Sequence, residues 1–242
     1  MSRTEQDPVE HWWEAYLQIP FDHLPAGRMY ELFDESWPAW MAGFTRLKPS
    51  LWVRAINSDI THIVRLAPGK GNLYLLHWGV SLSFVPHQWE GRLRWHRTVK
   101  SAWFDLWESA HLRAQTEEEE YRTLMLCGSY GESIVIRQLP AFWTWVEPRI
   151  TSWFSATATV DGVLQTAYAE MERNRFSYGY KTPSPQIVAA FCLARLSRGD
   201  DATVLLNSHV QVREWTSEAT ENLNRALALI RQPSTGLTYP GR

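Results

Sequence analysis

The chain has 242 residues, of which 45% are hydrophobic and 21% are charged. This composition is typical of a protein that folds around a core, and it excludes disorder over most of the length. The formal net charge of −2 excludes a global field that would attract a polyanion, so recognition by charge must be local. The 14 Trp predict an aromatic core, because each buried indole removes about 150–250 Å² of surface from water.

The two cysteines, Cys127 and Cys192, lie in separate apolar patterns without CxxC or metal-ligand spacing. We therefore expect buried thiols in a reducing compartment, with no metal and no cofactor. The first residues lack the charged-then-apolar layout of a secretory signal, and no stretch offers the ~18 apolar residues of a membrane span. These features predict a cytoplasmic protein without a membrane partner.

The first 100 residues predict two helices followed by an antiparallel sheet. A capping box and an apolar stripe predict a helix near the N-terminus, and a second helix is predicted over 25–41, split at Pro38 and ended by Gly43. Alternating apolar residues predict four strands of a meander, at Leu47–Ile56, Ile60–Leu66, Leu73–Val85 and Arg92–Val99. Because the third of these is unusually long, Gly79 is predicted to bend it at a β-bulge.

From about residue 101 the apolar period becomes helical, and the rest of the chain is predicted to be mostly helix. A capping box at Thr116 and Glu119 begins the first of these helices, and Gly128 ends it. The other helices are predicted at Ser133–Gln138, Pro140–Phe154, Val160–Arg173, Pro185–Leu196, Asp201–Val210 and Ser217–Arg231. The predicted fold class is α+β, with N-terminal helices packed on a four-stranded antiparallel meander and a mostly helical C-terminal half.

The predicted division of the chain lies near residue 128. Residues 1–128 are expected to form a helix-plus-antiparallel-sheet region, and residues 129–231 a helical region packed on it as one compact unit. Residues 232–242 contain Pro and Gly without an apolar pattern, and they are predicted to form a flexible tail.

One part of the sheet region resembles a known family. Residues 43–87 contain Gly43-Phe44-Thr45-Arg46, Leu51-Trp52-Val53-Arg54 and Gly79-Val80-Ser81-Leu82-Ser83-Phe84-Val85-Pro86-His87. They look like an uncharacterised family of bacterial cytosolic proteins, a domain of unknown function in which a helix ending in Gly-Phe leads into a small antiparallel meander. The resemblance implies a non-secreted bacterial protein, some of whose relatives lie beside toxin–immunity or defence loci. It carries over no active site.

The sequence predicts no catalytic residue. The loop Pro68-Gly69-Lys70-Gly71-Asn72 lacks the spacing of a phosphate-binding loop and leads into a strand, which favours a simple hairpin loop. Neither cysteine has a neighbouring histidine, and there is no GxSxG elbow. His62 and His77 could meet on adjacent strands, but no third ligand accompanies them, so no metal site is predicted.

A cationic strand face is the first candidate binding site. Alternation places Arg92, Arg94 and His96 on one face of their strand. Guanidinium forks bind phosphate and carboxylate oxygens, so this face could hold an anion or a protein partner. The structural alternative is the solvated face of an antiparallel sheet, or an edge strand protected by charge.

An aromatic segment is the second candidate. Residues 174–186 carry Phe176, Tyr178 and Tyr180 without periodicity, between two predicted helices. Aromatic rings on a partly rigid loop are typical of protein interfaces, which makes this segment a candidate partner-binding loop. Alternatively, the loop folds back and its rings fill the seam between the sheet and the helices.

The sequence favours a non-catalytic bacterial cytosolic binding protein, of immunity or defence type, whose partner is another protein. An enzyme with a dispersed active site on the polar sheet face stays open as an alternative, because catalytic groups can converge from distant segments. His62 and His77, with a carboxylate from the helical half, would form such a site. Nucleic-acid binding through the cationic strand is a further alternative, and the near-neutral net charge counts against it.

Overall fold

The computed structural model of the chain describes residues 24–69, 72–89, 92–96, 98–110, 128, 131–173, 183–213 and 217–231. The predicted first helix, the helix beginning near Thr116, and the C-terminal tail lie outside the described residues. The described part contains six α-helices and two antiparallel sheets, which confirms the α+β class and the helical C-terminal half.

The six helices are α1 (Ala26–Glu35), α2 (Glu132–Ala156), α3 (Val160–Arg173), α4 (Pro185–Arg195), α5 (Gly199–Arg213) and α6 (Ser217–Arg231). The seven strands are β1 (Thr45–Lys48), β2 (Leu51–Ala55), β3 (Ile60–Pro68), β4 (Tyr74–Leu82), β5 (Pro86–Trp89), β6 (Arg92–Trp95) and β7 (Leu106–Ser109). None of the described helices is long and apolar enough to cross a bilayer.

The main sheet has five strands in the order β1-β2-β3-β4-β7, and all neighbours are antiparallel. The first four follow one another as a meander. The predicted first strand is in fact two, because a turn at Pro49 and Ser50 separates β1 from β2. The β2–β3 turn forms as predicted, and the side-chain oxygen of Asn57 accepts hydrogen bonds of 2.9 Å from the backbone N–H groups of Asp59 and Ile60.

The predicted strand Arg92–Val99 does not join this meander. Only Arg92–Trp95 form a strand, β6, and it pairs with β5 in a separate two-stranded sheet. The neighbour of β4 in the main sheet is instead β7, which pairs with residues 77–80. We predicted that region as the start of the helical half, because four residues are too few to display a strand period.

Gly79 does not form the predicted β-bulge. The register of β3 with β4 runs without a shift from the Ile60–Leu82 pair to the Pro68–Tyr74 pair. A Cβ atom on Gly79 would lie only 2.5 Å from the Phe104 ring. The glycine is therefore required by a close approach of the chain leading into β7, and not by a bend in β4.

The inner face of the main sheet packs against the helices in one aromatic-rich core. The ring of Phe33 on α1 lies 5.0 Å from that of Trp52 on β2 and 4.6 Å from that of Trp143 on α2. The indole of Trp52 also donates a hydrogen bond of 2.8 Å to the Asp34 carboxylate. The Trp-rich composition is thus used largely for packing, as predicted.

The outer face of the sheet is covered by the chain itself. Leu51, Val53 and Ile63 form a smaller apolar cluster with Ala102 and Phe104, which lie in the segment between β6 and β7. Both faces of the sheet therefore bury apolar side chains.

The main departure from prediction among the described helices concerns α2. The predicted helices Ser133–Gln138 and Pro140–Phe154 are one helix, α2, which contains both Pro140 and Pro148. Each internal proline removes a backbone hydrogen bond. A long buried face compensates for this loss, with Val135, Leu139, Phe142, Val146, Ile150 and Trp153 all in the core. α3 and α6 have the predicted bounds, and α4 packs between α3 and α5.

Candidate functional site

The predicted cationic face is only partly described. Arg94 is exposed, whereas His96 is half-buried and its Nδ1 atom donates a hydrogen bond of 2.5 Å to the Ser101 carbonyl oxygen. The side chain of Arg92 lies outside the described atoms. Because β5 pairs His87 with Arg94, this face also includes a second histidine that the sequence did not assign to it. The proposed loop residues Phe176, Tyr178 and Tyr180 lie outside the described residues, so the loop stays a prediction.

His62 and His77 do not meet. His62 pairs with Val80 and lies on the inner face, while His77 pairs with Arg65 on the outer face. The sheet therefore separates the two imidazoles, so His62 and His77 do not form the pair considered in the alternative hypothesis of a dispersed active site.

His62 is a core histidine. Its ring stacks on Phe154 with centroids 4.3 Å apart, and its Nε2 atom lies 3.4 Å from the Thr157 carbonyl oxygen. Its pKa is lowered from 6.5 to about 4, mainly by burial; the hydrogen bond to the Thr157 carbonyl opposes this shift, and the charge of Arg54 makes a smaller contribution in the same direction as burial. The ring is therefore neutral at physiological pH.

A cleft of about 590 Å³ lies where the end of β7 meets α2 and α3. The apolar part of its lining, called the apolar wall below, consists of Pro148, Trp153 and Ala156 from α2 and Ala169 from α3. The polar side chains that line it are those of Glu108, Arg149, Ser152, Gln165, Thr166 and Arg173. This combination of an apolar wall with a few convergent polar groups is typical of a ligand or peptide site.

Two buried carboxylates hold one arginine at this cleft. Arg173 Nη1 donates a hydrogen bond of 2.8 Å to Glu170 Oε1 and lies 3.6 Å from Glu108 Oε1. The two glutamate side chains are 4% and 6% exposed, whereas that of Arg173 is 50% exposed. The two buried carboxylates therefore hold the guanidinium at its Nη1 atom, while the rest of the side chain reaches solvent.

Among the described residues, none bonds to the outer edge of the Arg173 guanidinium. Its Nε and Nη2 atoms make no hydrogen bond to any side chain or carbonyl in the part of the chain that the structure describes. These atoms form the edge that binds a carboxylate or phosphate in a bidentate manner. Arg149 lines the same cleft and its guanidinium lies 4.8 Å from the Trp145 ring centroid, so a second cation is present. The cleft thus suits an acidic group.

Sequence reasoning missed this cleft. Glu108 lies in a segment predicted to precede a helix, and nothing local connects it with Arg173, 65 positions later. One signal was available: Glu170 continues the apolar stripe of Val163 and Ala167 on α3, so a carboxylate occupies a position that faces the core. A buried carboxylate requires a partner, and Arg173 follows at the helical spacing of three residues.

A second polar cluster lies in and beside the hairpin β5–β6. His87 Nε2 donates a hydrogen bond of 2.7 Å to Asp105 Oδ1, and Asp105 Oδ2 accepts one of 2.5 Å from the Leu82 N–H group. Burial raises the pKa of Asp105, while its hydrogen bond and charge interaction with His87 and the Leu82 hydrogen bond lower it. The ring of His96 lies edge-on to His87, with centroids 4.5 Å apart and planes at 85°. Sequence spacing alone could not bring these three side chains together, because β5 was not recognised as a strand.

Within the described ranges, no three or more His, Cys, Asp or Glu side chains converge as a metal-binding group. Comparison with known proteins gives no relative of this chain, since no family model, no curated protein and no solved structure matches it.

Proposed function

We propose that the protein is a non-catalytic binding protein of the bacterial cytosol, and that its cleft holds an acidic segment of a partner protein. The observation that carries this proposal is the arginine at the cleft. Arg173 is half-exposed and anchored by two buried carboxylates, and it offers an open Nε/Nη2 edge. An arginine held in this way loses little conformational entropy on binding, and such residues are frequent energetic centres of protein interfaces.

The charges of the cleft favour an anionic group over a cationic one. Glu108 and Glu170 are almost completely buried and face the same nitrogen of Arg173, so their charge is directed inward. The guanidinium groups of Arg173 and Arg149 both line the cleft, and that of Arg173 is half-exposed. An aspartate or glutamate side chain, or a C-terminal carboxylate, would complete the arrangement with two parallel N–H···O bonds.

The walls of the cleft favour a polypeptide. The apolar wall at Trp153 and Pro148 would cover aliphatic or aromatic side chains beside the acidic group. The net charge of −2 disfavours a polyanion such as nucleic acid. The cytosolic setting and the immunity or defence context rest on the resemblance of residues 43–87 alone.

The experiment compares Arg173→Lys with the wild type. A tagged chain is used to recover partners from the native host, the partner is identified by mass spectrometry, and the affinity is then measured by calorimetry. Lysine keeps the ion pairs but lacks the bidentate edge, so the affinity should fall by about tenfold or more, while the melting temperature changes by only a few degrees.

Arg225→Lys is the matched control. Arg225 is exposed on α6, where it forms a surface ion pair of 2.7 Å with Glu221. This variant should bind as the wild type does. Recovery of a partner supports the proposal only if Arg173→Lys weakens its binding. Equal affinities of Arg173→Lys and wild type, or recovery of no partner, would contradict it.

A further inference from the structure

We propose that His87 and His96 form a binding site for a divalent transition-metal ion, represented here by Zn²⁺, with water completing its coordination. The observation is that the two imidazoles lie side by side and that each has one ring nitrogen bonded to an acceptor. This site is separate from the cleft at Arg173 and does not depend on the function proposed for it.

The hydrogen bonds fix which nitrogen of each ring can bind a metal. His87 Nε2 donates to Asp105 Oδ1 and His96 Nδ1 donates to the Ser101 carbonyl oxygen. In a neutral imidazole the other nitrogen carries a lone pair, which leaves His87 Nδ1 and His96 Nε2 as acceptors. A histidine that donates its second N–H to a carboxylate or a carbonyl is the arrangement found around protein-bound metals, because the acceptor orients the ring and increases its basicity.

The separation of the rings suits one ion. Zn–N bonds of about 2.0–2.1 Å place two ligand nitrogens about 3 Å apart. The two imidazoles have centroids 4.5 Å apart and planes at 85°, so the rings are close enough for one ion to contact both.

The surroundings hold both acceptors in place. Asp105 is tied to β4 by its side-chain bond from Leu82 N–H and by its own N–H, which donates to the Val80 carbonyl oxygen at 2.8 Å. Ser101 is held by a reciprocal capping box with Thr98. These contacts reduce the reorganisation needed on metal binding.

Neighbouring charge sets a limit on affinity. Arg94 lies opposite His87 in the β5–β6 register and repels a cation, although its side chain is exposed. Imidazole ligands suit Zn²⁺, Ni²⁺, Co²⁺ and Cu²⁺, whereas Ca²⁺ and Mg²⁺ require oxygen ligands. The site should therefore bind Zn²⁺, Ni²⁺, Co²⁺ and Cu²⁺ but not Ca²⁺ or Mg²⁺.

The test measures Zn²⁺ bound per chain by equilibrium dialysis of the chelator-treated full chain at neutral pH. The chain has eight histidines, so the readout is the difference between each variant and the wild type. His96→Ala removes a ligand and one hydrogen bond at the surface, so it should fold, and it should lose one Zn²⁺ equivalent or bind that equivalent at least tenfold more weakly. His96→Cys supplies a thiolate and should retain the site.

His77→Ala is the control, since His77 lies on the outer face of the main sheet beside Trp107. It should bind Zn²⁺ as the wild type does. Bound Co²⁺ provides a second readout, because its visible absorption should appear in the wild type and in His96→Cys but be lost in His96→Ala. If the wild type binds no Zn²⁺, or if His96→Ala matches the wild type in stoichiometry and affinity, the proposal is wrong.

Discussion

His62 should make the folded protein sensitive to mild acid. Its side chain is 2% exposed and stacked on Phe154, and burial is the main cause of its low pKa. The unfolded chain takes up a proton at the ordinary pKa of 6.5, whereas the folded chain resists protonation until about pH 4. Between these values the unfolded state binds more protons, so the free energy of unfolding decreases as the pH falls. Above pH 6.5 this contribution of neutral His62 to stability is fully present.

The size of the effect follows from the difference between the two pKa values. Each unit of difference corresponds to 1.36 kcal/mol, so the complete loss by pH 4 is about 3 kcal/mol. At about pH 5 the unfolded-state histidine is almost fully protonated and the folded one is not, and the loss is about 2 kcal/mol. This is a large fraction of the stability of an ordinary domain.

The loss of stability is measured by urea unfolding, followed by Trp fluorescence, at about pH 7.5 and at about pH 5. Between these two pH values the free energy of unfolding of the wild type should fall by about 2 kcal/mol more than that of His62→Gln. The glutamine side chain cannot titrate, but it can still donate a hydrogen bond to the Thr157 carbonyl. The carboxylates titrate in both proteins, so their contribution cancels in the comparison. His77→Gln, on the outer face, should behave as the wild type does. Equal losses in the wild type and His62→Gln would refute the reasoning.

Three further predictions concern the packing of the core. The glycine and Ser184 variants are measured by urea unfolding, and Cys192 by thiol labelling. Gly79→Ala should lower the free energy of unfolding by about 1–3 kcal/mol or more, because the new methyl group overlaps the chain entering β7. Gly27→Ala is the control: no atom lies within 4 Å of its new Cβ, so it should stabilise α1 by up to about 1 kcal/mol. Equal effects of the two substitutions would contradict the close approach at Gly79. Burial raises the pKa of the Cys192 thiol, so in a Cys127→Ser background no thiol should react with Ellman's reagent until the chain unfolds. Ser184→Ala removes the N-cap of α4 and the buried hydrogen bond of 2.9 Å to His209, so the free energy of unfolding should fall by about 1–3 kcal/mol. An unchanged urea midpoint would argue against that cap.

The elements that the sequence predicted well are those with a long and uninterrupted period. α3 and α6 carry regular apolar stripes, and their predicted bounds agree with the structure. β3 and β4 alternate over many residues and pair along their whole length. β7, by contrast, has four residues, and it is a strand only because β4 offers a partner. α2 was divided at Pro140 because local rules weigh a proline heavily, while the burial that keeps the helix continuous is a property of the folded core.

The sites were harder to predict for a related reason. His96 was placed on a candidate binding face, but its neighbour His87 depends on a register that local sequence does not reveal. Glu108 meets Arg173 only after β7 has joined the sheet and α3 has packed over it. Contacts between distant segments follow from topology, and a single sequence contains no direct record of topology.

The edge strand β1 has a consequence for the behaviour of the protein at high concentration. No strand pairs with its outer side within the described residues, its register is interrupted between Arg46 and Lys48, and three of its four residues are exposed. A regular apolar edge would act as a template for strands of other chains and promote fibril formation. A short, irregular edge that carries two cations is a poor template, because an incoming strand would have to desolvate those charges to form an incomplete ladder. β1 is therefore the last strand of the sheet within the described residues, and we expect its charges and irregular register to disfavour aggregation through that edge.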